Sequence, residues 1–110
     1  MQRLNSNTVE RFVREADIAA LMFGSPESET TMAQAIEFAL AWADTNGAAQ
    51  FGYINAFADI ATARAFGIRL LPTTLIVCGG EVIVKLEGRQ PSLLIEAALA
   101  NACVQRPIAA

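Results

Sequence analysis

The chain has no histidine and only two cysteines, Cys78 and Cys103. Each shortage excludes some chemistry. Without histidine the commonest general base is gone, and with it most Ser-His and Cys-His nucleophile pairs. Zinc sites need converging Cys, His and carboxylate ligands, so no metal is expected. The two cysteines form no CxxC pair. A disulfide between them stays open as an alternative, although a reducing cytoplasm disfavours it. Basic residues are few and scattered, eight Lys and Arg against eleven Asp and Glu. Nucleic-acid binding needs clustered cations at the phosphates, so no nucleic-acid partner is expected. The apolar stretches are short and interrupted, and none is long enough to insert in a membrane. The start, Met1-Gln2-Arg3-Leu4-Asn5, lacks the charged stretch and apolar run of a secretory signal. A soluble, cytoplasmic protein is the expectation.

What is present is an apolar majority, 54% of 110 residues, enough for one core in one domain. Asn7 or Ser6 can cap a first helix over about Thr8 to Glu15, with Val9, Phe12 and Val13 on one face. Ile18 to Phe23 reads as a buried strand, closed by Gly24-Ser25-Pro26. Ser25 is a good N-cap and Pro26 suits a first helical position. Glu27 and Glu29 then fall in the first turn, where the helix dipole favours negative charge. That second helix runs to about Asp44 and ends at Asn46-Gly47. Met32, Ile36, Leu40 and Ala43 make one apolar stripe, and Phe38 and Trp42 a second. Such a helix is covered on both sides, or covered once and presented to a partner. Trp42 is expected in or near the core.

Ala49 to Ala56 reads as a strand, and Asp59 can cap a short helix through Arg64, closed by Gly67. Thr73 to Val77, a Gly79-Gly80 turn and Glu81 to Leu86 read as a hairpin. A last helix spans about Pro91 to Cys103, with Ile95, Ala98, Leu99 and Ala102 at helical spacing. Met1 to Leu4 can add a short edge strand. Residues 1–104 thus form one domain and residues 105–110 a frayed tail. Strand-helix-strand units require parallel pairing and the hairpin antiparallel pairing, which gives a mixed sheet with helices on both faces. Cys78, at the mouth of the hairpin, is expected to be a solvent-touched bystander, and Cys103 a small core residue.

This order resembles thioredoxin, above all in Phe66-Gly67-Ile68-Arg69-Leu70-Leu71-Pro72-Thr73. The apolar Thr73-Thr74-Leu75-Ile76-Val77, then Gly79-Gly80-Glu81-Val82, and finally Gly88 continue the likeness. The resemblance implies a thioredoxin-like three-layer α/β fold with a mixed four- to five-stranded sheet flanked by helices. It also implies a cis peptide bond before Pro72, facing a helix start. Carried back from Phe66 without gaps, the family's redox motif falls on Ser28-Glu29-Thr30-Thr31, so both of its cysteines are absent. The family's buried acid falls on Met22, its lysine partner on Tyr53, and the tryptophan before the motif on Glu27. Disulfide exchange needs a thiolate, a resolving thiol and a proton acceptor. The resemblance therefore implies a redox-inactive binding module, no enzyme, with no catalytic residue and no cofactor. Ser28 and Thr31 would cap the helix instead.

The rim facing Pro72 would hold Ser25, Glu27, Ser28, Glu29 and Thr31, then Leu70 and Leu71, then Gly88 and Arg89. An apolar floor beside carboxylates suits an extended peptide with basic residues. Among thioredoxin-like families without the cysteines, the Phe-Gly, Pro-Thr and Gly-Gly segments are similar to the accessory chaperones of nickel-iron hydrogenase maturation. That likeness implies binding to the twin-arginine signal peptide of a hydrogenase small subunit. Three other readings stand beside it: an adaptor or oligomerisation domain using the second helix, a glutathione-binding domain with Ser near the helix start, and a residual redox domain. The sequence does not reveal the oligomeric state.

Overall fold

The computed structural model describes residues 1–102. Cys103 and the tail expected at 105–110 lie outside the described residues. Five strands and four helices alternate in these: β1 (Gln2–Leu4), α1 (Val9–Glu15), β2 (Ile18–Gly24), α2 (Glu29–Thr45), β3 (Gln50–Asn55), α3 (Ile60–Ala65), β4 (Thr73–Cys78), β5 (Glu81–Glu87) and α4 (Ser92–Ala102). They form one mixed sheet in the order β1-β3-β2-β4-β5. β3 runs parallel to both β1 and β2, whereas β4 is antiparallel to β2 and β5.

Period-two alternation along the central strands divides the interior into two cores. Ala19, Leu21 and Phe23 of β2 join Leu75 and Val77 of β4 on one face, under Val9, Phe12 and Val13 of α1 and Ala63 of α3. Ala20 and Met22 join Ile76 on the other face, under Phe38 and Ala41 of α2 and Ile95, Leu99 and Ala102 of α4. Strands covered on both faces are mostly apolar, which is why β2 reads as an unbroken apolar run and β4 as one from Leu75 to Cys78, after the buried Thr73 and Thr74. The β4–β5 turn is made by Gly79 and Gly80, both at positive φ (61° and 81°). A Cβ on Gly80 would also lie 2.8 Å from the carbonyl oxygen of Arg14, so this turn needs glycine for both conformation and room.

Four sequence expectations change. The first helix is capped at Thr8 with no side-chain cap bond. The preceding turn is organised instead by Asn5, whose Oδ1 accepts from the Asn7 N–H at 2.8 Å. The N-cap of α2 is Ser28 rather than Ser25, so Pro26 and Glu27 precede the helix. The face of α2 turned to the core carries Thr31, Gln34, Phe38 and Ala41. The stripe of Met32, Ile36 and Leu40 faces solvent, and Trp42 is also exposed. Lastly, Cys78 is buried in the core beneath α2 and α4 and is disulfide-bonded. It is therefore not a solvent-touched bystander.

Candidate functional site

The sheet register gathers the expected rim residues at one end of the sheet. Phe23 pairs with Thr73, and Thr73 with Glu87. The next residue along each chain path, Gly24, Pro72 and Gly88, therefore belongs to the same rim. Gly24 also pairs with Asn55 at the end of β3. Ser25 to Thr31 continue from the first of these positions, Leu70 and Leu71 lead into the second, and Arg89 follows the third.

The Leu71–Pro72 bond is cis. Two local bonds hold the turn. The Pro72 carbonyl accepts from the Gly88 N–H at 2.8 Å, and the Thr73 hydroxyl donates to the Leu70 carbonyl. Pro72 is buried, Leu71 half-buried, and Leu70 exposed. Among the described residues, neither the N–H nor the carbonyl of Leu71 has a hydrogen-bond partner. An adjacent donor and acceptor left open beside exposed apolar surface are what a pairing strand requires.

On the opposite side of the rim, Ser28 Oγ accepts from the Thr31 N–H at 3.3 Å, and Thr31 Oγ1 accepts from the Ser25 N–H at 3.1 Å. Both hydroxyls are thus committed to shaping the helix start, and Thr31 itself is buried. Of the rim residues, Thr31 forms the wall rather than a contact surface. Gly24 makes this arrangement possible. A Cβ there would stand 2.5 Å from Thr31 Cγ2, so a larger residue would push the helix away from the strand end. Glu27 and Glu29 are exposed at the helix start. Across the rim, Arg69 and Glu87 approach at 3.8 Å, and Arg89 is exposed.

Two positioning residues were missed by sequence reasoning. Gln34 of α2, fully buried, grips the segment after β5 with both ends of its amide. Nε2 donates to the Gln90 carbonyl at 3.0 Å, and Oε1 accepts from the Gln90 N–H. Glu37 Oε1 accepts from the Ser92 N–H at 2.9 Å, at the start of α4. Together they fix the path of Gly88, Arg89 and Gln90 beside the cis proline. The available signal was spacing: Gln34 stands three residues after Thr31 and four before Phe38, on the core-facing side of the helix.

Beneath the rim, Met22 and Tyr53 are register neighbours on β2 and β3. Met22 is buried. Burial raises the Tyr53 hydroxyl above the ordinary phenol pKa, and the charge of Arg3 pulls it back. Thr74, the neighbour of Met22 on β4, has a buried hydroxyl oxygen with no partner. No thiol accompanies this rim among the described residues. Cys78 lies at the far end of β4, six residues or about 20 Å from Pro72.

No protein-family model and no curated protein sequence matches this chain. Solved structures do. A chloroplastic thioredoxin z is similar at a TM-score of 0.86 and 16% identity, over 94% of this chain and 95% of its own. A thioredoxin of Malassezia sympodialis gives 0.79 and 20%, over 93% and 90%. A thioredoxin of Fasciola hepatica gives 0.79 and 12%, over 93% and 99%. The fold is thus that of thioredoxin: a five-stranded mixed sheet between two pairs of helices.

Proposed function

We propose that the chain is a redox-inactive, non-enzymatic peptide-binding module of thioredoxin fold. In this reading an extended peptide pairs with the open backbone of Leu71 at the cis-proline turn. That unpartnered N–H and carbonyl is the observation that carries the proposal. Leu70, Leu71 and Gly88 supply an apolar floor, and Glu27 and Glu29 favour a peptide with basic residues. Such a ligand matches the accessory-chaperone reading, with the twin-arginine signal of a hydrogenase small subunit as partner. Neither a cofactor nor a metal is needed for this action.

The test is titration of isotope-labelled protein with a twin-arginine signal peptide and, separately, with glutathione. Shifts at residues 25–31, 70–73 and 88–89 with the peptide alone support the reading. Shifts with glutathione alone would replace it by a glutathione-binding domain. An insulin-reduction assay should show no turnover. The cytoplasmic placement belongs to the same proposal, and a reducing cytoplasm should keep Cys78 reduced in cells, as read by thiol trapping. Persistence there of the disulfide seen at Cys78 would place the protein in an oxidising compartment.

A second reading, an adaptor domain, draws on the solvent-facing stripe of Met32, Ile36 and Leu40 on α2, which are 60%, 64% and 48% exposed. Concentration-dependent sedimentation abolished by Ile36→Lys would favour it over the groove.

A further inference from the structure

An apolar cavity lies where α2 meets the β1 edge of the sheet; its lining includes Pro26 and Thr31 near the helix start but no residue of the cis-proline turn. Its volume is about 340 Å³. All three methionines of the chain, Met1, Met22 and Met32, line it, together with Ala35 and Phe38 of α2. Thioether side chains are flexible and polarisable, so such a wall adapts to an apolar guest of variable shape. Its polar lining residues are Gln2, Arg3, Thr31 and Tyr53. Arg3 and Tyr53 are register neighbours on the parallel strands β1 and β3, and Tyr53 in turn neighbours Met22 on β2. Register neighbours project from the same face of a sheet. Arg3, Tyr53 and Met22 therefore form a row running from the sheet edge inward, from cation to hydroxyl to apolar wall. Among the described residues no carboxylate pairs with Arg3, and the Tyr53 hydroxyl has no hydrogen-bond partner.

From this row we infer that the cavity is a binding site for a free monocarboxylate with an apolar body, of the medium-chain fatty acid class. The carboxylate sits at the β1 edge, where the Arg3 guanidinium and the Tyr53 hydroxyl both donate to it. The acyl chain runs inward along Met22, Met32 and Phe38. Charge complementarity selects this occupant: an apolar guest alone leaves Arg3 and Tyr53 unused, and a cationic amphiphile meets Arg3 with like charge. The site borders the rim at Pro26 and Thr31 but uses neither Leu71 nor the cis-proline turn.

The probe is octanoate, added to protein carrying ¹³C-methyl methionine, with octanol and octylamine as controls of equal length. The site predicts saturable shifts of the Met22 and Met32 methyls with octanoate. Arg3→Ala and Tyr53→Phe should each weaken binding, the former about tenfold, because a hydrogen bond to a charged group is lost. Ala35→Phe should block the cavity from its exposed helix face without touching the core. Equal binding of octanol or octylamine would overturn the inference, since the site would not read charge. So would unchanged octanoate affinity in Arg3→Ala. Concentration-dependent self-association that shifts the same methyls, with no response to octanoate, would assign the face to a second copy of the chain. A failure here stays distinguishable from a failure of the peptide reading, because residues 70–73 and 88–89, which that titration also reads, do not line this cavity.

Discussion

At the scale of single residues, the row beneath the rim departs most from what a catalytic thioredoxin-like site requires. Met22 and Tyr53 stand where the family resemblance expects an acid and a lysine; Met22 is buried, and Tyr53 is half-buried beside the cavity at the β1 edge. Thr74 is the residue left over, a buried hydroxyl beside Met22 that nothing satisfies. Removing an unsatisfied buried hydroxyl while keeping its shape relieves a desolvation cost. Thr74→Val should therefore raise stability by about 1 kcal/mol in urea unfolding; a loss of that size would mean the hydroxyl has a partner. Glu96 on α4 gives a pH signature. Burial, and then the negative charge of Asp44 on α2, raise its carboxyl above the ordinary carboxylate pKa. The folded chain thus holds that proton to higher pH than the unfolded chain does. Stability from this group is complete below the ordinary carboxylate pKa and is lost as pH rises through the raised value. Glu96→Gln should flatten this part of the melting-temperature profile and raise the melting temperature at neutral pH. An unchanged acid-to-neutral slope would place the origin elsewhere. Met22 and Tyr53 were traceable through the resemblance, whereas the Thr74 and Glu96 effects were not, because each depends on which strand or helix lies beside which.

At the scale of elements, local signals served well where chemistry forces geometry. The Gly79-Gly80 turn, the Phe66 to Thr73 segment with its cis bond, and the apolar runs of β2 and β4 all follow from residue type. Helix α2 was harder. Its apolar residues outnumber what one core face can accept, so spacing alone did not show which stripe turned inward. Phe38 and Ala41 went in, while Met32, Ile36 and Leu40 stayed out. Gln34 decided nothing in the sequence, yet it ties α2 to the segment after β5. Gln34→Ala strips the Gln90 N–H and carbonyl of their partner, and should cost about 2 kcal/mol. The same variant should speed amide exchange at Gln90 relative to β2 and β4. Unchanged exchange at Gln90 would show that the segment is held by other contacts.

At the scale of the whole molecule, the thioredoxin fold is present with a cis-proline turn, and the start of α2 at the same end of the sheet carries hydroxyls committed to shaping it. The resemblance made one rim traceable: the register brings Gly24, Pro72 and Gly88, with the residues flanking them, to one end of the sheet. For the peptide partner proposed above, backbone pairing would read extended form more than sequence, so residue types alone do not name it. The disulfide at Cys78 was not traceable either, since pairing depends on Cα separation in three dimensions. The account therefore rests on the open backbone of Leu71. Hydrogen exchange at the Leu71 amide, measured with and without a saturating twin-arginine signal peptide, tests it most directly. The account predicts fast exchange in the free protein and strong protection in the complex. Protection already present in the free protein, or exchange that the bound peptide leaves unchanged, would contradict it.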